Sequence, residues 1–271
     1  MRVGGHRFVD AEAERRPLPM NIYETDKLLA EYLLFHYGAP EEVLPYAFGP
    51  REALGYPQRC VLECLDVESL PDRARALDLG CAVGRSTFEL ARFCAEVVGI
   101  DYSARFIEAA KALQADGALA YRRVDEGRLA TECRAVAPAG IDRTRVRFET
   151  GDAMNLRGDL GSFDAVLMAN LIDRLWTPRL CLARLPGLVK TGGQLILTSP
   201  YTWLEEFTPQ SHWLGGFEWD GKPVATLDGL KAALEPCFEF ISARDLPFLI
   251  REHARKYQWS VAQATVWVRK G

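Results

Sequence analysis

The chain has 271 residues, of which 48% are hydrophobic and 26% are charged, so it is long enough for one large α/β domain, or at most two small ones, and is neither disordered nor fibrous. Its formal net charge of −4 at pH 7 provides no basic surface for nucleic acid or an anionic membrane, and we expect a small-molecule partner. Seven irregularly spaced cysteines without a CxxC pair and four scattered histidines indicate buried thiols and no metal site. With no apolar stretch of membrane-spanning length, we expect a cytoplasmic protein.

The N-terminal part is predicted to be a flexible arm followed by a helical cap. Residues 1–20 mix charge and proline without apolar periodicity, which is typical of an arm. Apolar residues recur at helical spacing over 26–37, and a second helix is predicted around 58–68. We therefore assign residues 21–70 to the cap and residues 71–271 to the main domain.

In the main domain, short apolar runs alternate with helical stretches, which is typical of a parallel sheet covered on both faces. The predicted strands lie near 75–79, 96–100, 146–150, 163–169, 193–198, 237–242 and 262–268. The predicted helices are 84–94, 103–115 and 178–189. Right-handed crossovers would arrange them as a doubly wound, Rossmann-like α/β fold of seven strands, the last antiparallel. The stretch 116–145 is too long for a connection and is predicted to be an insertion or an extended helix.

The strongest motif is ALDLGCAVGRS at residues 76–86, where a buried strand enters a glycine-containing turn and then a helix. In doubly wound sheets, ligands bind at this first turn, outside the carboxyl ends of the strands. Ala82 stands where a dinucleotide site needs glycine for the approach of pyrophosphate. Asp78 would repel pyrophosphate and attract a cation, so the turn favours a cationic ligand over NAD.

Polar side chains also follow the next three predicted strands. Asp101 lies about 20 residues after Gly80, the spacing at which a carboxylate accepts hydrogen bonds from ribose hydroxyls. Asp152 supplies an acceptor suited to the exocyclic amine of adenine, and Asn170 follows the fourth strand. A single strand-end aspartate is often only a helix cap, but four motifs in this order indicate a nucleoside-containing cofactor.

This order of motifs resembles the class I S-adenosylmethionine-dependent methyltransferases over about residues 71–271. The resemblance rests on the glycine turn, the ribose acid, Gly151-Asp152-Ala153, Phe163-Asp164-Ala165-Val166 and Gly192-Gly193. It implies S-adenosylmethionine as cofactor and S-adenosylhomocysteine as product, and Ala82 departs from the glycine that is common in the family. The implied cofactor-binding residues are Asp78, Gly80, Cys81, Gly84, Asp101, Tyr102, Asp152, Ala153 and Asn170.

Two further segments resemble a narrower family, the mercaptohistidine N-methyltransferases of ovothiol biosynthesis. They are residues 23–38, which contain YETD and YLLFHYG, and residues 247–259, PFLIREHARKYQW. The iron-dependent synthase portion of the fused members of that family is absent from this sequence. The resemblance implies transfer of a methyl group to an imidazole nitrogen of 5-thiohistidine (4-mercaptohistidine).

The chemistry of that substrate selects further candidates. Aromatic faces accommodate a sulfonium and a flat imidazole, and arginine suits a carboxylate. The expected catalytic residues are Glu24, Asn170 and Asp173, with His36 and His253 as alternative bases. The expected substrate-binding residues are Tyr23, Tyr37, Arg174, Tyr201, Trp203, Arg251 and His253.

Three alternatives stay open at this point. The first is a methyltransferase that acts on another small molecule. The second is a non-catalytic interaction module of the same fold, which we expect to lack Asp101, Asp152 or the glycine turn. The third is a dehydrogenase, which Ala82 and Asp78 disfavour. The sequence leaves the oligomeric state and the methylated ring nitrogen open.

Overall fold

The computed structural model describes residues 22–271, so the predicted arm over residues 1–20 lies outside the described residues. The strands are β1 (Arg75–Leu79), β2 (Glu96–Asp101), β3 (Ala118–Glu126), β4 (Leu129–Val136), β5 (Val146–Thr150), β6 (Phe163–Ala169), β7 (Val189–Ser199), β8 (Phe217–Trp219), β9 (Lys222–Val224), β10 (Phe238–His253) and β11 (Lys256–Arg269). The helices are α1 (Asp26–Tyr37), α2 (Pro40–Val43), α3 (Tyr56–Leu62), α4 (Arg85–Leu90), α5 (Ala104–Asp116), α6 (Pro178–Leu188) and α7 (Thr226–Leu234).

A seven-stranded sheet with the spatial order β10-β11-β7-β6-β1-β2-β5 forms the centre of the molecule. The strands from β7 to β5 pair in parallel, whereas β11 is antiparallel to both β7 and β10. The carboxyl ends of the five parallel strands therefore share one edge, here called the ligand edge. The predicted Rossmann-like sheet with an antiparallel last strand is confirmed.

The helix predicted around 58–68 is α3, which ends earlier, at Leu62. Two other segments differ more from the sequence-based expectations. Residues 116–145, predicted to be an insertion or an extended helix, contain the antiparallel hairpin of β3 and β4, which turns at Gly127 with a φ of 55°. Strand β10 has 16 residues and β11 has 14, far longer than the predicted strands. The apolar patterns of both strands extend through residues 243–261, which we interpreted as a connection between the last two predicted strands. Tertiary contacts decide the conformation of this segment.

The cap shares the hydrophobic core of the sheet. Helix α1 begins after Thr25, whose side chain accepts a hydrogen bond from the backbone N–H of Leu28 (3.3 Å). It ends at Gly38, where a Cβ would lie 2.6 Å from the carbonyl oxygen of Leu34. Buried residues from both parts belong to one cluster, including Leu33, Leu34, Cys60 and Val61 of the cap and Ala76, Val97 and Ile196 of the sheet. The cap is therefore packed as an integral layer beside the ligand edge.

The tip of the β10–β11 hairpin extends past the ligand edge. Gln263 pairs with Ser199, the last residue of β7, so β11 residues 256–262 lie beyond the end of that strand. At the tip, the backbone N–H of Ala254 donates to the carbonyl of Asp125 in β3 (3.0 Å). The tip thus joins the β3–β4 hairpin. Within residues 22–271, no helix has the length and apolar character needed to cross a membrane.

Candidate active site

The glycine turn between β1 and α4 requires left-handed backbone at three positions. The φ angles are 79° at Gly80, 48° at Ala82 and 89° at Gly84. A Cβ at Gly84 would lie 2.5 Å from the ring of Phe148, so only glycine fits there. Ala82 adopts a conformation that costs a residue with a Cβ about 1–2 kcal/mol, so other contacts must hold it in place.

Asp101, at the end of β2, supplies one of those contacts. Its two carboxylate oxygens accept hydrogen bonds of 2.8 Å from the backbone N–H groups of Ala82 and Ser103. The backbone N–H of Cys81 donates to the carbonyl of Ile100 (3.1 Å), which also fastens the turn to β2. Burial raises the pKa of Asp101 to about 6. Each carboxylate oxygen can accept a second hydrogen bond, so Asp101 can still serve a ligand.

Asp78 is fully buried in β1 next to the turn. Its Oδ2 accepts hydrogen bonds of 2.7 Å from the hydroxyls of Ser86 and Thr87, and burial raises its pKa to about 6. Its Oδ1 has no hydrogen-bond partner. A buried carboxylate with one unpartnered oxygen favours a nearby positive charge, which is the property expected of a site for a cationic cofactor.

Asp152 and Ala153 follow β5 at the same edge. Asp152 Oδ1 accepts a hydrogen bond from the backbone N–H of Met154 (2.8 Å), which stabilises a local turn. Ala153 is buried, while Tyr102, which follows β2, is 50% exposed. The end of β5 therefore presents one carboxylate above a small apolar side chain, with an aromatic ring available on the neighbouring strand.

Asn170 follows β6 on the other side of β1. It adopts left-handed backbone with a φ of 51°, and its N–H donates to the carbonyl of Thr198 at the end of β7 (2.9 Å). Its side-chain Oδ1 accepts a hydrogen bond of 2.7 Å from the hydroxyl of Tyr56 in α3. The cap therefore reaches the ligand edge through a specific polar contact.

Asp173 and Arg174 lie in a short 3-10 helix after Asn170. Asp173 is fully buried, and its Oδ2 accepts hydrogen bonds of 3.0 Å from Arg174 Nη1 and from the backbone N–H of Thr202. Its Oδ1 has no partner, and burial raises its pKa. The guanidinium of Arg174 lies 4.9 Å from the centre of the Phe207 ring. The pair offers an unpartnered acceptor beside a cation.

Two tyrosines of the cap lie close enough to Asp101 and Arg174 to interact electrostatically with both. Burial raises the pKa of Tyr23, whose hydroxyl hydrogen-bonds with Arg174 and interacts electrostatically with Asp173 and Asp101. Burial also raises the pKa of Tyr32, which interacts with Arg174 and Asp101 as well. The rings of Tyr23 and Tyr32 meet edge to face at 6.1 Å. Aromatic side chains of the cap therefore lie near the ligand edge.

Four residues proposed from the sequence use their polar atoms within the protein. The contacts are Glu24 Oε1 with Ala104 N (2.9 Å), Tyr37 Oη with Val83 O (2.7 Å), Tyr201 Oη with Gln263 Oε1 (2.9 Å) and Trp203 Nε1 with Thr226 Oγ1 (2.9 Å). Glu24 thus holds the first turn of α5, and Tyr37 supports the glycine turn. The second carboxylate oxygen of Glu24 and the rings of the three aromatic residues can contact a ligand. The polar atoms named above already stabilise the fold.

The predicted placement of Arg251 and His253 needs a correction. Both residues were expected to face the substrate from a connection between the predicted strands 237–242 and 262–268, but they lie in β10. Arg251 lies inside β10 and is 5% exposed, with Nη1 donating to the carbonyl of Glu42 (2.5 Å) and Nη2 contacting Asp125 Oδ1 (3.3 Å). His253 Nδ1 accepts a hydrogen bond from the backbone N–H of Arg255 (3.3 Å) in the hairpin turn. Both residues stabilise the tip of the hairpin, and Arg251 offers no outward-facing guanidinium.

His36, an alternative base, is buried, and desolvation together with the charge of Arg85 lowers its pKa to about 3. Such an imidazole is a poor proton acceptor. Sequence reasoning missed Tyr32, Tyr56 and Thr198 as site residues. The helical pattern around Tyr32 was visible, but a single tyrosine in a helix is usually a core residue. Tyr56 was missed because its hydrogen-bond partner, Asn170, lies 114 positions away in the sequence.

The sequence matches a protein-family model over part of its length. Residues 77–197 match the family described as "Methyltransferase domain". Residues 77–197 therefore form a methyltransferase domain, and the protein is a methyltransferase. No curated protein matches the whole sequence at a significant level.

Solved methyltransferase structures are similar to parts of the chain. A TehB-like S-adenosylmethionine-dependent methyltransferase from Corynebacterium glutamicum is 18% identical, with a TM-score of 0.47, and the alignment covers 79% of this methyltransferase and 88% of that chain. A second, from Methanosarcina mazei, is 18% identical with a TM-score of 0.49, covering 75% and 95%. The N-terminal domain of EvdMO1, solved with S-adenosylhomocysteine, is 19% identical with a TM-score of 0.47, covering 79% and 81%.

The methyltransferase site suits a sulfonium nucleoside. The unpartnered oxygen of Asp78 and the carboxylates of Asp101 and Asp152 make one side of the ligand edge acidic. A carboxylate cluster favours a cationic cofactor over an anionic dinucleotide. Within residues 22–271, no group of three or more histidine, cysteine or acidic side chains is arranged to hold a metal ion.

Proposed function

We propose that this methyltransferase transfers a methyl group from S-adenosylmethionine to an imidazole nitrogen of 5-thiohistidine, giving ovothiol. The observation that carries the proposal is the Asp173–Arg174 pair, in which a buried carboxylate oxygen lacks a partner beside a guanidinium. A zwitterionic amino acid with an imidazole ring needs both an acceptor and a cation. The resemblance of residues 23–38 and 247–259 to the mercaptohistidine methyltransferases supports the same substrate.

The position of the strand ends at the ligand edge supports a set of proposed cofactor contacts. Asp101 accepts from the ribose hydroxyls, Asp152 from the adenine amine, and Asn170 contacts the amino-acid part. The turn from Gly80 to Gly84, including the backbone of Cys81, allows close approach. When bound, S-adenosylmethionine supplies an electrophilic methyl carbon on a positively charged sulfur.

The protein's contribution to the reaction is alignment and exclusion of water, because an in-line displacement needs no covalent nucleophile. The attacking imidazole nitrogen uses its lone pair, so the other ring nitrogen carries the N–H. Asp173 Oδ1 would accept a hydrogen bond from that N–H, and Arg174 would hold the substrate carboxylate. As the methyl group is transferred, the electron pair of the broken C–S bond would stay on sulfur, the positive charge would pass to the ring, and the N–H proton would leave to Asp173. Tyr23 and Tyr32 cover the edge, and Tyr201 and Trp203 flank it.

The decisive experiment incubates the purified protein with S-adenosylmethionine and 5-thiohistidine and analyses the products by mass spectrometry. We expect a gain of one methylene unit on the thiohistidine and formation of S-adenosylhomocysteine. Asp173→Asn should bind S-adenosylmethionine normally but turn over at least about tenfold more slowly. Unmodified thiohistidine in the presence of bound cofactor would reject this substrate.

The same assay separates the alternatives. A panel of thiols, imidazoles and carboxylates offered in competition would reveal a methyltransferase with another small-molecule substrate. Cofactor binding without methylation of any panel member would favour a non-catalytic module. The substrate assignment and the binding of the cofactor are thus tested independently.

A further inference from the structure

Tyr56 is a cap residue whose hydroxyl is hydrogen-bonded directly to a strand-end side chain proposed to touch the cofactor. It is 2% exposed, and its ring packs against Phe35 and Phe248, with centroids 6.0 and 4.9 Å away. Its hydroxyl lies 2.7 Å from Asn170 Oδ1 and 2.6 Å from Thr198 Oγ1. A phenol held by packing on both sides has little freedom to move.

Tyr56, Asn170 and Thr198 form a closed ring of hydrogen bonds that includes the backbone N–H of Asn170. This N–H is shared between the Thr198 carbonyl (2.9 Å) and Thr198 Oγ1 (3.3 Å), the Thr198 hydroxyl can donate to the Tyr56 oxygen, and the Tyr56 hydroxyl donates to Asn170 Oδ1. Thr198 Oγ1 also lies 3.4 Å from Asn170 Oδ1. Each hydroxyl then donates once and accepts once. The ring fixes the left-handed backbone of Asn170 and the rotation of its amide together.

This arrangement has a chemical consequence for the amide. Because Oδ1 is occupied by Tyr56, the NH₂ group is the part of Asn170 left for a ligand, and within residues 22–271 it has no hydrogen-bond acceptor. An NH₂ group requires an acceptor such as a carboxylate oxygen. Asp152 and Asp101 follow β5 and β2, whereas Asn170 follows β6, so a cofactor whose nucleoside lies at the acids extends its amino-acid part toward Asn170.

We propose that Tyr56 is a positioning residue that fixes the Asn170 amide so that its NH₂ group donates to the carboxylate of the bound cofactor. The proposal rests on the contact between Asn170 and the cofactor given above. It makes the cap part of the cofactor site: α3 sets the direction of a hydrogen-bond donor at the end of β6. Neither residue takes part in bond making.

The test compares two nucleosides by calorimetry. S-adenosylhomocysteine carries the amino-acid part, and 5′-methylthioadenosine lacks it. Tyr56→Phe should weaken S-adenosylhomocysteine about fivefold or more, the effect of one net hydrogen bond, and leave 5′-methylthioadenosine unchanged. Equal weakening of both nucleosides, or no change in either, would overturn the proposal. Tyr46→Phe is the matched control, since it removes a hydroxyl bonded to the carbonyl of Ala254 (2.9 Å) in the same cap.

A double-mutant cycle separates positioning from general stability. In an Asn170→Ala background, Tyr56→Phe should cause no further loss of S-adenosylhomocysteine affinity, whereas a purely structural effect of the phenol would persist. Asn170→Asp should also weaken binding, because it replaces a donor by an anionic acceptor. Retained affinity in that variant would contradict the proposed direction of the amide.

Thr198 provides a second pair of variants if Tyr56→Phe folds poorly. Thr198→Val removes the other hydroxyl of the ring and should reproduce the selective loss, and Thr198→Ser should restore affinity. Failure of the serine variant to do so would count against the ring. Both nucleosides can be measured without a methyl acceptor, so this result is independent of whether 5-thiohistidine is the substrate.

Discussion

Ala82 illustrates how one residue in the cofactor turn is held against its backbone preference. It has a φ of 48°, and its N–H is fastened to Asp101. Ala82→Gly should raise the free energy of unfolding by about 0.5–1 kcal/mol, because glycine adopts this conformation without strain. Urea denaturation measures the change.

The matched control is Ala112→Gly in the interior of α5, where the backbone is helical. There the same replacement should lower stability by about 1 kcal/mol. A destabilised Ala82→Gly variant would show that the turn is not strained at this position.

The acidic residues of the site predict a pH dependence of cofactor binding. The pKa values of Asp78 and Asp101 are both raised to about 6 by burial, and a cationic cofactor bound beside them, as proposed, would favour their ionised forms. Protonation as the pH falls through this value should therefore reduce the affinity for S-adenosylmethionine, by up to about tenfold per pH unit for each group.

Calorimetry between about pH 7.5 and about pH 5 tests this relationship. Asp101→Asn should bind more weakly at neutral pH and show a smaller change with pH. S-adenosylhomocysteine, whose sulfur is uncharged, should also show a smaller change. An affinity for S-adenosylmethionine that is constant over this range would contradict the proposed role of the two carboxylates.

Residue by residue, the sequence was informative where function is tied to the end of a strand. Asp101, Asp152 and Asn170 could be placed on one edge because each follows an apolar run, and parallel strands align their carboxyl ends. Tyr56 could not be placed, since its partner is far away in the sequence and its environment depends on how α3 packs. Arg251 was misplaced because a buried arginine has no local signature.

Among the elements, the β10–β11 hairpin and the β3–β4 hairpin support each other through Arg251. Arg251→Met removes the contacts with Glu42 and Asp125 and should lower the free energy of unfolding by about 2 kcal/mol. Arg255→Met, at an exposed position of the same hairpin, is the control and should have almost no effect. Thermal and urea denaturation provide the measurement.

The same variant distinguishes a structural from a substrate-binding Arg251. If the residue only stabilises the tip, the folded Arg251→Met protein should retain its affinity for S-adenosylmethionine and its KM for the methyl acceptor. A large rise in KM with unchanged stability would restore the interpretation made from the sequence.

Prediction of the elements succeeded where periodicity is regular. The five parallel strands and α1 were identified from their apolar patterns, and all five parallel strands lie in the central sheet. The hairpin of β3 and β4 was missed because its strands alternate weakly and expose Leu129 and Val136. Whether such a hairpin forms depends on the residues that pack against one of its faces, and local β-propensity carries no information about that packing.

At the level of the whole molecule, the cap and the sheet share one hydrophobic cluster. We therefore expect one cooperative unfolding transition, with coincident denaturation curves from near-ultraviolet circular dichroism and tryptophan fluorescence. Two separated transitions would show that residues 21–70 and 71–271 fold as independent domains. S-adenosylhomocysteine should shift the single transition to higher denaturant concentration.

The length of β10 has a consequence for the behaviour of the protein at high concentration. It is a border strand of the sheet, and such a border can accept a strand from another molecule. Pro247 offers no N–H, its carbonyl is occupied by Arg59 Nη1 (3.0 Å), and the pairing with β11 is irregular between Phe240 and Ser242. Arg244 and Asp245 add charge. These features discourage edge-to-edge aggregation while leaving the long strand free to support the ligand edge.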